Sequence, residues 1–280
     1  MTQTTNTLIT SDGAKLYFKR FLPDGHPRAL LCIVHGLGEH IDRYTRMAEF
    51  YTAQGFAVFG IDNRGHGRTQ APGGPGHAAP RRLVLDDVAL ELRTMKKEYP
   101  DLPVFLYGHS LGGNIVLSYR TLRGDMVDAY VVTSPWLILA QPLSKPKELG
   151  GRLLAKLKPA APIETGLDAA GISTVRDEVE QYRRDPLVHG KISALTAMES
   201  LDLAKEMLAR AGDIHSPILL IHGDSDPICS VEGSRLYAKN SGDWLRYVEF
   251  PGVRHEVHND TSRETLYETV LAFLEEHIKK

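Results

Sequence analysis

The 280-residue sequence holds only two cysteines, Cys32 and Cys229. Two thiols cannot build a disulfide framework, nor a structural zinc site without help from histidines. Long apolar runs are missing as well. No stretch approaches the roughly 20 residues that a helix needs to span a bilayer, and the first residues lack the basic-then-apolar order of a secretory leader. These features predict a cytoplasmic protein. Charge of one sign is not in excess either, with 33 Lys and Arg against 35 Asp and Glu and a formal net charge of -2. Such a chain has no global field to draw it onto nucleic acid, which excludes nucleic-acid binding as its main role. Internal repeats and low-complexity tracts are absent too, and 42% hydrophobic with 24% charged residues is the mixture of a folded globular chain.

The chain is long enough for one large α/β domain with a filled core. Short apolar runs at 30–35, 56–62, 104–110 and 129–134 read as buried strands, and the stretches 43–54, 83–99 and 111–122 between them carry apolar residues at helical spacing. Residues 16–22 read as an edge hairpin strand. That rhythm stops after Ser134 and resumes with strands at 218–224 and 245–252 and a closing helix at 261–278. The expected organisation is therefore a single domain over 1–280, a mostly parallel sheet flanked by helices, with an inserted helical cap at approximately 135–215.

GHSLG at 108–112 matches G-x-S-x-G, with a strand before it and a helix after it. In that motif the glycines permit a sharp strand-to-helix turn that lifts a serine above the sheet. A serine hydroxyl needs an adjacent base, held in turn by a carboxylate. Asp226 follows one late strand in HGDSDPIC and His255 follows the next in GVRHEVH. The chain order Ser, Asp, His is that of the α/β-hydrolase fold. Asp224 is the rival acid, nearer its strand and suited to shaping the turn, and His258 is the rival base. Negative charge developing on a carbonyl oxygen calls for two backbone N–H donors. Leu111, directly after the serine, is the first, and Leu37 in HGLGEH at 35–40 is the second.

Other motifs fail their own tests. The histidines of HEVH at 255–258 are three apart rather than the four of a zinc protease, so no metal is expected, and the glycines of APGGPGH at 71–77 lack the Lys and Ser or Thr of a phosphate loop. The segment 145–159 forms a basic amphipathic helix, with Leu149, Leu153, Leu154 and Leu157 on one face. Its apolar face either roofs an acyl pocket or makes transient contact with a membrane surface. Gly150 and Gly151 weaken the helix and favour the roof.

HGLGEH, RY, DNRGHGRT, GHSLGG, QYRRDPL, HGDSDPIC and GVRHEVH together resemble the monoacylglycerol lipase and lysophospholipase family of α/β hydrolases. The resemblance spans nearly the whole chain and is loosest at 141–171. It implies Ser110 as nucleophile, Asp226 and His255 as its partners, and Leu37 and Leu111 as oxyanion donors, and it selects His255 over His258. It also implies a polar pocket for a glycerol head group, made by Glu39, Arg43, His109, Tyr182 and His258. Cys229 matches a cysteine that such lipases carry near the site, which makes it a target for thiol reagents. The expected reaction is cleavage of a small lipid ester through an acyl-enzyme, without a cofactor. Activity should fall in acid below a pKa near the ordinary histidine value of about 6.5. A short-chain carboxylesterase is the alternative enzyme, and an inactive hydrolase-fold binding protein the alternative of another class. Epoxide hydrolases and dehalogenases of this fold carry a carboxylate where this chain has Ser110.

Overall fold

The computed structural model describes residues 1–124 and 126–278. In chain order its elements are β1 (Thr2–Ile9), β2 (Lys15–Leu22), β3 (Ala29–Val34), α1 (Thr45–Ala53), β4 (Phe56–Ile61), α2 (Arg81–Glu98), β5 (Val104–His109), α3 (Leu111–Leu122) and β6 (Ala129–Thr133). There follow α4 (Lys145–Leu157), β7 (Pro162–Glu164), α5 (Arg176–Arg184), β8 (Lys191–Ser193), α6 (Ala194–Ala209), β9 (Ile218–Gly223), α7 (Val231–Asn240), β10 (Leu245–Phe250) and α8 (Arg263–Glu276).

Eight strands form one sheet in the order β1-β2-β4-β3-β5-β6-β9-β10. The pairs β1–β2 and β2–β4 are antiparallel, and from β4 to β10 every pair is parallel. Parallel strands need helical crossovers, and these cover both faces, so the inner strands are apolar without alternation. The faces still separate by register. Leu30, Cys32 and Val34 of β3 join α2 and α3 in one core cluster, whereas Ala29, Leu31 and Ile33 join α1 and α8 in the other. Each fully buried Leu, Ile or Phe contributes about 1.5 to 3 kcal/mol of hydrophobic stabilisation.

The edge strand expected at 16–22 is the second strand. Outside it lies β1, TQTTNTLI, mostly exposed and paired only with β2. Between β6 and β9 the chain holds α4, a small antiparallel pair β7–β8, α5 and α6. Here α6 packs against α3: Asn114 Nδ2 donates to the Ser200 carbonyl at 3.2 Å and Thr121 Oγ1 contacts Met207 Sδ at 3.2 Å. On α4 the leucines at 149, 153 and 157 are 71%, 59% and 71% exposed. They point outward instead of roofing a pocket, because α4 seats only Ala155 fully in the core. Among the described residues no helix is long and apolar enough to cross a membrane.

Candidate active site

The sharp turn at Ser110 follows from its neighbours. Its backbone sits at φ 56, ψ -118, a region that costs a non-glycine residue about 1 to 3 kcal/mol. The turn closes only because Gly108 and Gly112 have no side chains. A Cβ at Gly108 would lie 2.5 Å from the Gly112 carbonyl oxygen, and one at Gly112 would run into that of Val34. Ser110 Oγ thereby stands 2.9 Å from His255 Nε2, and His255 Nδ1 stands 2.7 Å from Asp226 Oδ2. The three side chains come from the ends of β5, β9 and β10. Asp224 is exposed and accepts from the Gly252 amide at 2.7 Å, fastening the turn to the loop after β10.

Asp226 accepts two amides on Oδ1, from Ile228 at 2.8 Å and Cys229 at 3.1 Å. Burial opposes its ionisation, but the charge and hydrogen bond of His255 and the hydrogen bond of His222 outweigh it, holding its carboxyl well below the usual carboxylate range. Burial likewise opposes a charge on His255, and the Asp226 carboxylate reverses the sign, so its pKa is raised above 6.5. The expectation of an ordinary histidine pKa is corrected by this pairing. Cys229 is fully covered and burial pushes its thiol up. A buried, protonated thiol is a poor target for thiol reagents, which corrects that expectation too.

Loop 35–40 passes directly over the serine. A Cβ on Gly36 would meet Ser110 Cβ at 3.2 Å. Among the described residues no protein acceptor takes the amides of Leu37 or Leu111, so both are available to an incoming oxygen.

The polar residues expected around a head group do come together, but their hydrogen bonds are mostly spent on one another. Glu39 accepts from the Gly36 amide at 2.6 Å, Tyr44 at 2.8 Å and Arg43 at 2.9 Å. Arg43 forks onto Glu256 at 2.6 and 2.7 Å and lies 4.7 Å over the Tyr182 ring. Burial favours a neutral Glu256, yet the Arg43 guanidinium outweighs it and holds the carboxyl low. Glu39, facing Glu256 across the same arginine, is instead raised, mainly by burial. His109 is buried beneath the site, 4.7 Å from the His255 ring, with Nδ1 at 3.1 Å from Thr133 Oγ1. His258 stacks on Tyr44 at 4.7 Å, and both its ring nitrogens lack a hydrogen-bond partner among the described residues. Burial pushes its pKa down to about 3, so the ring is neutral.

Two residues of this arrangement escaped the sequence reading: Glu256, next to the base, and His222, which also reaches Asp226. Between loop 35–40 and the segment 165–190 lies a cavity of about 210 Å³, lined by Leu37, Tyr182, Asp185, Val188 and His189 among others. Among the described residues no cluster of three or more His, Cys, Asp or Glu could hold a metal ion.

A nucleophile elbow and a hydrogen-bonded Ser-His-Asp chain define a serine hydrolase of the α/β-hydrolase fold. The family model described as serine aminopeptidase, S33 (Hydrolase_4), matches residues 25–262, and the chain belongs to that family. It is 31% identical to a monoacylglycerol lipase of Mycolicibacterium smegmatis over 95% of each chain. The crystal structure of a monoacylglycerol lipase from Paleococcus ferrophilus superposes with a TM-score of 0.83 at 30% identity, over 94% of this chain and 99% of that one. A soluble variant of monoglyceride lipase from Saccharomyces cerevisiae, solved with a substrate analog, shares the fold at TM-score 0.89 and 22% identity, over 100% of this chain and 97% of that one.

Proposed function

We propose that this carboxylic ester hydrolase cleaves monoacylglycerol-type lipid esters to fatty acid and alcohol. Ser110 Oγ attacks the ester carbonyl as His255 Nε2 takes its proton. The amides of Leu37 and Leu111 receive the developing oxyanion, a contribution of about 3 to 4 kcal/mol each to lowering the barrier. His255 returns the proton to the departing alcohol. A water molecule, deprotonated by the same ring, then releases the acyl group from Ser110. Asp226 keeps Nδ1–H of His255 directed inward and stabilises the imidazolium.

The observation that carries this reading is the unbroken hydrogen-bonded line from Ser110 to His255 to Asp226 beneath two unspent amides. It disfavours an inactive binding protein. Around the alcohol, Glu39, Arg43 and Glu256 brace the wall, the buried His258 ring keeps two nitrogens without a partner among the described residues, and Tyr182 lines the adjoining cavity. The lipid relatives favour glycerol esters over simple esters. The outward leucines of α4, with Lys145, Lys147, Lys156 and Lys158 nearby, suit transient contact with a lipid surface. Both cysteines are free and buried, which accords with a reducing cytoplasm.

Mass spectrometry after a fluorophosphonate probe, with turnover of 1-monoacylglycerol, lysophosphatidylcholine and short alkyl esters by wild type and Ser110→Ala, tests the proposal. An adduct on Ser110 and monoacylglycerol turnover lost in the variant support it. An adduct with turnover confined to short esters moves the assignment to a carboxylesterase, and no adduct refutes the nucleophile.

A further inference from the structure

Asp226 is shared by two histidines. His222, near the end of β9, is fully buried, and its Nε2 lies 3.0 Å from Asp226 Oδ2, the oxygen that also receives His255 Nδ1. The same Nε2 lies 3.1 Å from the Cys229 carbonyl oxygen. A nitrogen facing two oxygens that can only accept must carry the hydrogen. The other nitrogen, Nδ1, lies 2.7 Å from Ser234 Oγ on α7. With the hydrogen on Nε2, that hydroxyl can donate to Nδ1, so both nitrogens are satisfied. The four residues before it in β9, Ile218, Leu219, Leu220 and Ile221, are all buried and apolar. Packing alone asks for no polar ring at the fifth position.

We propose that His222 is a positioning residue of the catalytic acid: its Nε2–H fixes the Asp226 carboxylate toward His255 and takes up part of its negative charge, which moderates how strongly the base is drawn to its protonated form. The inference rests on the triad assignment above. Asp226 has four N–H donors, from Ile228, Cys229, His222 and His255. Losing His222 leaves three, and the less neutralised carboxylate stabilises the His255 imidazolium further. Other charges face the pair from the surrounding elements. Glu39 in the loop after β3 and Glu256 beside the base act on His255. His109 at the end of β5 lies against His255, and Glu249 on β10 faces His222. None of these hydrogen-bonds to Asp226, so a change at His222 reaches the base through the acid.

The test is the pH profile of kcat/KM for a soluble ester, read for wild type, His222→Leu, His222→Gln and Ser234→Ala, each checked for folding by circular dichroism. Leucine removes the donor, and glutamine keeps an N–H near the position of Nε2. The expected result is an acid limb displaced upward by about half a pH unit or more in His222→Leu. His222→Gln should largely restore it, and Ser234→Ala, which frees the tautomer, should move it the same way by less. Should His222→Leu fail to fold, the glutamine and alanine variants decide between the outcomes. A residue that merely fills space lowers the rate without moving the limb, and an unmoved limb in the folded variants overturns the proposal. Ser110→Ala run in parallel separates the two readings. Turnover surviving in that variant removes the triad assignment itself, whereas turnover abolished there with a stationary limb removes only the role of His222.

Discussion

Ser110 is held at a positive φ by two glycines whose missing side chains leave room for the carbonyls of Gly112 and Val34. Gly112→Ala should therefore cost stability, by about 1 to 3 kcal/mol, together with most of the activity, which urea titration and ester turnover would read separately. His255 supplies a second prediction. Only the neutral ring can take the serine proton, and its pKa lies above 6.5. Protonation on acidification thus removes the base, and kcat/KM should fall with a midpoint above pH 6.5; a limb centred well below that value would contradict the pairing with Asp226. Outside the site, Glu91 on α2 is fully buried beside Cys32, and burial pushes its pKa well up, offset only in part by the Cys32 thiol and the Ile61 backbone. The unfolded chain releases this proton above about pH 4.5 and the folded chain keeps it, so the group subtracts stability as pH rises through that value. Glu91→Met should raise stability by about 1 to 4 kcal/mol at pH 8 and by less at pH 5, as denaturant midpoints at the two values would show.

At the scale of elements, α4 carries the clearest surface signal. Transfer of Leu149, Leu153 and Leu157 from water toward an apolar layer contributes up to about 1.5 to 3 kcal/mol per side chain. Replacing all three with serine should weaken sedimentation with anionic lipid vesicles at least tenfold while leaving hydrolysis of a soluble short ester within about twofold. Equal vesicle binding by both proteins would return α4 to a purely structural role. The same helix marks how far sequence could be read. Its periodicity was plain, but amphipathicity does not say whether the apolar face meets protein or solvent. The parallel strands were legible because burial on both faces leaves continuous apolar runs, as in β3 and β5. β1 was not, because an edge strand with polar side chains has no hydrophobic pattern to betray it, and the three-residue β7 and β8 are too short for any period to register. Ser110, Asp226 and His255 were legible as motifs at strand ends. Glu256 and His222 were invisible, since their value lies in partners distant in sequence or in a turn geometry that spacing does not encode.

The whole molecule explains why the site lies where it does. From β4 to β10 the strands run in one direction, so the loops after β3, β5, β9 and β10 leave the sheet at a single edge and deliver Leu37, Ser110, Asp226 and His255 to one place. The chain between β6 and β9 returns across that edge and is fastened to it. The His189 amide donates to the Gly38 carbonyl at 3.0 Å, His189 Nε2 pairs with the Gly65 carbonyl at 3.0 Å, and the Ser193 amide donates to the Gly76 carbonyl at 3.0 Å. Asp185 Oδ2 meets His40 Nε2 at 2.8 Å, and on the other side the Glu256 amide donates to the Ile172 carbonyl at 2.7 Å. Asp185, His189 and Leu37 all line the cavity of about 210 Å³, so these bonds hold its wall against loop 35–40. Asp185→Asn removes the charge from one of them without changing side-chain size. It should speed amide hydrogen exchange across 162–193 while leaving β5 unchanged, and it should lower kcat/KM for long-chain glycerol esters severalfold more than for a short ester that does not need the wall. Unchanged exchange, or equal losses on both substrates, would mean that the wall is held without the Asp185 charge and that chain-length selection lies elsewhere in the fold.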